Sequence, residues 1–349
     1  MRITEEVSIM SRCKIKIGII GCGMIAEFHI SALSALDDAE VIGVFDTSAE
    51  RSRAFAQKHG IEVYETMDAL LASAAEVVAI CTPSGLHASL AIAALHAGKN
   101  VVVEKPVALT NEDCERILEA EKTSGKVCAV VSQLRYADGI RQAKEILDSG
   151  ALGKPVLCDL YMKYYREKKY YEGSWRGTFA MDGGGALMNQ GIHGIDVLRY
   201  LVGDVKIVNG KVRTLVHDIE VEDTAVASVQ FVNGALGVIE GTTSVRPGYP
   251  RRIEIHCEKG SMLIEETEIV SVDLPDFDPN KEEKDPDFAG FKDPAAISAE
   301  GHLRQYKNIL AAVRGEAELF YTAKEASETV KTILAIYESS KTDRDIHLN

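Results

Sequence analysis

Residues Ile17–Ile30 read IGIIGCGMIAEFHI. An apolar, β-branched run breaks at Gly21 and Gly23 and passes into a helical stretch in which Ala26 is the third small residue, the pattern GxGxxA. Between a strand and a helix, the first glycine makes the tight turn and the second lets the backbone approach a pyrophosphate. The third small residue lets helix pack on strand. The phosphate then sits on the helix N-terminus, where free N–H groups and the dipole favour an anion, with Met24 and Ile25 in the same turn. Such a turn needs an acid about 20 residues further on, and Asp46 ends the next run, GVFDTS. A carboxylate there accepts hydrogen bonds from the adenosine ribose hydroxyls and repels a 2′-phosphate, so NAD is expected over NADP. The other reading of Asp46 is a cap for the helix that starts near Ser48. Thr47, Ser48 and Arg51 keep NADP open, because hydroxyls and a guanidinium hold such a phosphate.

Outward from this turn, the runs KIKIGII, EVIGVFD, EVVAIC, NVVVEK and KVCAVV alternate with Ala-, Leu- and Glu-rich helical stretches up to about Val131. Continuous apolar strands separated by helices predict a parallel sheet covered on both faces, a doubly wound α/β domain. After a linking helix (GIRQAKEILDSG) the style changes to longer, alternating strands with turn signals such as VNG and EKG, which predicts a large, open, mostly antiparallel sheet. The expected division is a disordered leader at 1–11, a nucleotide-binding domain at 12–133, and a substrate-binding and oligomerisation domain at 134–349. Four of the nine prolines lie in the acidic stretch between Asp273 and Glu300, read as a surface loop or flap. Two helices close the chain, the second with Thr322 as N-cap. An open sheet needs covering, so a homodimer or homotetramer is expected.

The chain has 349 residues, enough for two cores, and 39 basic against 53 acidic residues give it a net charge of −14. That balance disfavours nucleic acid or an anionic membrane as partner. No run approaches the roughly 18 apolar residues of a membrane span. The seven cysteines show no CxxC pair, so neither a disulfide framework nor a metal site is expected, and a reducing cytoplasm is the expected compartment.

Two further strand ends carry CTPSGLH (Cys81–His87) and VVVEKP (Val101–Pro106). Ligands bind outside the carboxyl ends of parallel strands, so Thr82, Pro83, Ser84, His87, Glu104 and Lys105 are expected to face the cofactor. Lys105 reads alternatively as a surface lysine, but it follows a buried run and precedes a proline. Residues 183–196 read GGGALMNQGIHGID. On a regular helix Asn189, His193, Asp196 and Tyr200 share one face and Leu187, Ile195, Leu198, Leu201 and Val202 the other. The polar face is either chemically equipped, with the glycines admitting cofactor and substrate, or it meets solvent, with His193 a satisfied core histidine. Just before it, YMKYYREKKYYEGSWRGTF (Tyr161–Phe179) holds five tyrosines, the single tryptophan and several cations. These suit stacking on a sugar face and holding an anionic group, with Tyr165, Trp175 and Arg176 as candidates; the alternative is a core-facing strand followed by a solvated loop.

The ordered set GxGxxA, Asp46, TPxxxH, EKP and GGGxxxNxGxHxxD resembles the Gfo/Idh/MocA oxidoreductase family over nearly the whole chain from Lys14. The resemblance implies a Rossmann domain followed by an α/β domain, and oxidation or reduction of one carbon of a sugar, cyclitol or nucleotide sugar. It implies that Lys105 and His193 are the acid/base pair, that Gly21, Gly23, Ala26 and Asp46 bind NAD, and that Lys105–Pro106 is cis. The family usually has Asp where Asn189 stands, and an amide orients the imidazole without stabilising its charge; Asp196 or Lys105 would then compensate. Two other activities stay open on this reading: a glycosidase using NAD transiently, and a silent cofactor-sensing regulator.

Overall fold

Strand β1 (Ile15–Ile20) and helix α1 (Met24–Ser34) flank the glycine turn as expected. The computed structural model describes residues 13–275 and 298–348, so the leader at 1–11 and most of the acidic stretch lie outside the described residues. The chain continues through β2 (Ala39–Phe45), α2 (Ala49–His59), β3 (Glu62–Val63), α3 (Met67–Ala72), β4 (Val77–Ile80), α4 (His87–His96), β5 (Asn100–Val103), α5 (Asn111–Ser124) and β6 (Cys128–Val130). All six strands are parallel, in the order β3-β2-β1-β4-β5-β6. The apolar runs exist because β4 and β5 are sandwiched: Val77–Ile80 and Val101–Val103 are all buried. Ser48, Thr66 and Thr110 cap α2, α3 and α5 through their hydroxyls, and α2 and α5 stop at Gly60 and Gly125 in the left-handed region. The two-residue β3 has no run of its own to announce it.

Helix α6 (Asp138–Asp148) leads into β7 (Pro155–Lys163), α7 (Ile192–Val202), and strands β8 (Val205–Arg213), β9 (Thr224–Phe231), β10 (Leu236–Thr242), β11 (Arg252–Cys257), β12 (Ser261–Glu265) and β13 (Glu268–Val272). Helices α8 (Glu300–Val313) and α9 (Ala323–Thr342) and the short β14 (Ile346–His347) complete it. The second sheet runs β13-β12-β11-β7-β10-β9-β8-β14 and is antiparallel except where β7 pairs with β10. Its strands alternate: in β9 Ala225, Ala227, Val229 and Phe231 are buried, while Val226 points out at 49% exposure, as does Leu236 on the neighbouring β10 at 57%. Helix α9 opens with a complete capping box at Thr322 and Glu325.

The division at 133/134 separates the sheets but not the helices. Tyr306, Ile309 and Leu310 of α8 join the core formed by Ile15, Ile17, Ile19, Ala26 and Leu33, and Arg314 pairs with Asp38 at 2.6 Å. Helix α9 packs on the other face, where Cys114 and Ile117 of α5 share a core with Ala326 and Val330. Among the described residues no helix is long and apolar enough to cross a membrane, and all seven cysteines are unpaired.

Candidate active site

The strand order reverses between β1 and β4, and there the carboxyl ends of the strands open on one cleft of about 500 Å³. Gly21, Gly23, Met24 and Ile25 line it from the first turn. Gly21 has φ +93°, and a Cβ there would stand 2.6 Å from the Cys81 carbonyl oxygen, so only glycine fits. Gly23 has no atom within 4 Å of where its Cβ would be, which leaves the backbone open to a pyrophosphate. Ala26 is fully buried in the helix–strand contact. Asp46, Thr47 and Arg51 line the end of β2. The cap of α2 is Ser48, not Asp46; the Asp46 carboxylate accepts from Cys22 N at 2.9 Å, Ser48 N at 2.8 Å and Arg51 Nη2 at 2.7 Å. Burial pushes its carboxyl up, but the guanidinium and the two amides outweigh that and hold it below the usual range. Arg51 is thereby tied to a carboxylate, the opposite of what a 2′-phosphate site needs.

Thr82, Pro83 and Ser84 line the cleft, but His87 does not. Its ring is buried, Nδ1 with the Pro106 carbonyl oxygen at 2.7 Å and Nε2 with that of Thr82 at 3.0 Å. It ties two strand-end loops together instead of facing the cofactor, because position 87 is the first residue of α4 and is turned into the core. Glu104 borders the cleft, but its Oε1 is 3.0 Å from His29 Nε2, whose Nδ1 is 2.6 Å from the Tyr306 hydroxyl. Burial raises that carboxyl; the two histidines His29 and His302 override it and hold it well below the usual range. Lys105 follows, its bond to Pro106 cis, and its Nζ donates to the Asn189 carbonyl oxygen at 2.8 Å. Burial lowers the ammonium's pKa, opposed by Glu104 and Asp182.

The glycine run serves a different purpose from the one expected. Gly183 lies against Leu109, Gly184 against Tyr337 and Gly185 against the Glu222 backbone; a Cβ on Gly185 would overlap the Glu222 carbonyl oxygen. The glycines admit the protein's own chain, not the ligand. Glu222 clamps the segment: Oε2 accepts from Gly185 N at 2.8 Å and Oε1 from Leu187 N at 2.9 Å and the Tyr337 hydroxyl at 2.9 Å. Burial pushes this carboxyl up to about 7.

From here Ala186–Gly191 winds as a π-helix before α7 begins at Ile192, so the regular helical projection fails. Asn189 and His193 both reach the cleft, whereas Asp196 is buried away from it. Asp196 accepts from Arg135 Nε and Nη2, both at 2.8 Å, and from Ser132 Oγ at 2.6 Å, and Tyr200 lies over the same guanidinium. Asp196 therefore makes no hydrogen bond to His193, and its charge only partly opposes the lowering of that ring's pKa. A carboxylate that the sequence reading missed stands behind Asn189: Asp182 Oδ1 accepts from Asn189 Nδ2 at 2.6 Å, and its Oδ2 from Gly177 N at 2.9 Å. Placed before three glycines, Asp182 looks like a turn residue. His193 makes no hydrogen bond among the described residues; burial, then the positive Lys105 and Arg251, hold its pKa well below the ordinary value, so the ring is neutral at pH 7.

Trp175 and Arg176 line the mouth, with the Arg176 guanidinium 4.7 Å from the Tyr170 ring centre and 5.2 Å from that of Trp175. Tyr165 does not; it pairs with Arg246 outside the cleft, and Tyr170, five residues on, takes the place assigned to it. Arg166 and Gln190 also line the cleft, joined at 3.0 Å, and Gln190 donates to the Tyr170 hydroxyl at 2.9 Å.

Residues 15–132 match the model of the oxidoreductase family with an NAD-binding Rossmann fold, and residues 140–263 that of the GFO/IDH/MocA C-terminal domain. The inositol 2-dehydrogenase of Salmonella typhimurium is 31% identical over 70% of this chain and 72% of its own length. The myo-inositol 2-dehydrogenase of Thermotoga maritima is 29% identical over 74% and 78%. The WlbA dehydrogenase of Bordetella pertussis, solved with NADH and UDP-GlcNAcA, superposes with a TM-score of 0.88 at 30% identity, over 97% of this chain and 99% of that one. With the dinucleotide turn, the Asp46 strand end and both domain models in register, the chain belongs to the Gfo/Idh/MocA oxidoreductase family and is an NAD-binding dehydrogenase.

Proposed function

We propose that this dehydrogenase oxidises or reduces a secondary alcohol of an acidic or nucleotide-linked sugar, with Lys105 and His193 as the acid/base pair. The observation that carries the reading is the convergence on one cleft of an anchored amine, Lys105 Nζ, and a neutral imidazole, His193, beside the strand ends that suit NAD. NAD, when bound, supplies the hydride acceptor or donor at the nicotinamide. In the oxidative direction neutral His193 takes the hydroxyl proton, and Lys105 donates a hydrogen bond to the same oxygen as its negative charge develops. The Asn189 carbonyl aims the amine, and Asp182 fixes Asn189 through its amide.

Arg166 and Arg176 favour an anionic substrate over a free cyclitol, both stacked on Tyr170 at the cleft mouth. The test is a reduction screen with NAD and NADP over free sugars, inositols, sugar acids and UDP-sugars. NADH formation with a UDP-linked or free sugar acid is expected; turnover confined to inositols would overturn the substrate assignment. We assign the homo-oligomer contact to the open face of the second sheet, where Val226 and Leu236 are exposed; light scattering showing a monomer at micromolar concentration would refute it. Seven free cysteines suit a reducing cytoplasm.

A further inference from the structure

Several buried polar atoms have no hydrogen-bond partner among the described residues, and Thr82 Oγ1, Gln133 Oε1 and both ring nitrogens of His302 among them belong to residues that border the cofactor cleft. Gln133 follows β6, and His302 lies in the first turn of α8. Their segments adjoin, since a Cβ on Gly301, the residue before His302, would stand 2.9 Å from Gln133 Cβ. Gln133 is 6% and His302 2% exposed. The His302 ring is held by Phe28 at 6.2 Å and His29 at 5.2 Å between centres, and its Nε2 stands 3.7 Å from Glu104 Oε1, beyond hydrogen-bond length. Buried polar groups are normally satisfied, so an unpaired acceptor and an unpaired imidazole on adjoining segments of one cleft wall imply a ligand that supplies the complements.

We infer that Gln133 and His302 form the recognition site for the nicotinamide carboxamide. A primary carboxamide offers one carbonyl acceptor and an NH2 donor in one plane, which matches a His302 N–H and the Gln133 amide oxygen. An anion does not fit, because the ionised Glu104 lies beside His302. A metal held by His29, Glu104 and His302, whose ligand atoms lie within 4.8 Å of one another, does not fit either: both His29 nitrogens are already engaged, with Tyr306 and Glu104. Gripping the carboxamide stops the ring from turning over, so a residue of α8, late in the sequence, sets which nicotinamide face meets Lys105 and His193. The inference rests on NAD as cofactor.

The test uses the full-length protein and titrates NADH, the reduced 3-acetylpyridine analogue, which keeps the carbonyl but lacks the NH2, and ADP-ribose, which lacks the whole ring. Binding is read by calorimetry, without turnover. Wild type is expected to bind NADH roughly tenfold tighter than the analogue, the effect of one buried hydrogen bond withdrawn. Gln133→Met should abolish that preference while leaving the analogue's affinity unchanged. His302→Leu should weaken NADH and the analogue alike by roughly tenfold, and His302→Gln, which keeps a donor, should restore most of it. Equal affinity of wild type for the two dinucleotides overturns the inference, as does stoichiometric metal that is lost in His302→Leu. Failure of wild type to bind ADP-ribose would instead overturn the assignment of the cleft to NAD.

Discussion

Gly185→Ala is a change of one methyl group, remote from bulk solvent and not itself in the cleft lining. Its Cβ would overlap the Glu222 carbonyl oxygen and approach the carbonyl carbon to 2.8 Å and Val221 Cγ2 to 3.0 Å. The first two are backbone atoms, so no side chain can swing away. Relief requires separating segments held by Ala186 N to Glu222 O at 2.9 Å, Gly185 N to Oε2 at 2.8 Å and Leu187 N to Oε1 at 2.9 Å. Losing two of these three buried bonds, with a carboxylate in two of them, costs about 3–5 kcal/mol. The activity loss should be larger than partial unfolding explains: the same segment carries the Asn189 carbonyl that aims Lys105, and a misplacement of about 1 Å at a reacting group costs roughly a hundredfold in rate. Urea unfolding gives the first quantity, and kcat at saturating NAD in the folded fraction gives the second. Gly191→Ala, whose Cβ would come no closer than 3.2 Å to any atom, the Ala186 oxygen, serves as the control and should cost less than about 1 kcal/mol. A Gly185→Ala protein within about 1 kcal/mol of wild type and fully active would refute the clamp.

Lys105→Met and His193→Asn should each lower kcat by roughly a thousandfold while the NADH Kd, measured by fluorescence, moves less than about threefold; full turnover in either would remove it from the acid/base pair. Asp46→Ala releases Arg51 and removes the repulsion of a 2′-phosphate, so the ratio of kcat/KM for NAD over NADP should fall by roughly tenfold or more; an unchanged ratio would show that Asp46 does not read the ribose. Glu222 is raised in the folded protein from 4.5 to about 7. Its protonated form is therefore favoured by folding, and its contribution is complete below about pH 4.5 and lost as pH rises through about 7, a change of about 3 kcal/mol. Glu222→Gln should flatten the dependence of Tm on pH between 5 and 8, and an unaltered slope would assign that dependence to other groups.

Most of the strand-end lining of the cleft was legible because its signals are local, with His87, turned into the core, the exception. Gly21, Gly23 and Ala26 lie in one turn, Asp46 ends the next strand, and Lys105 sits where a buried run meets a proline, so each role is set by neighbours a few residues away. The substrate half was legible only as a region. The glycine run stood out, but its cause lies in Leu109, Glu222 and Tyr337, which no sequence period connects to it. His193 and Asp196 lie in the same regular helix, α7, as projected, but Arg135, sixty-one residues earlier, claimed that carboxylate, a pairing no sequence period announces. Tyr165 and Tyr170 share composition and neighbourhood, and only the fold of the loop after β7 distinguishes them. His302 carried no signal, since a histidine in an amphipathic helix after a long acidic stretch resembles any other.

The contribution of α8 to the nucleotide domain bears on how this chain folds during synthesis. The six parallel strands are complete once residue 130 has been made, yet the face of β1 and α1 that takes Tyr306, Ile309 and Leu310 stays uncovered until residues 300–313 leave the ribosome. Folding domain by domain from the N-terminus is therefore not open to it. The emerging half must wait with an apolar strip exposed, and a chain interrupted before residue 300 would release a dinucleotide fold that lacks part of its own core.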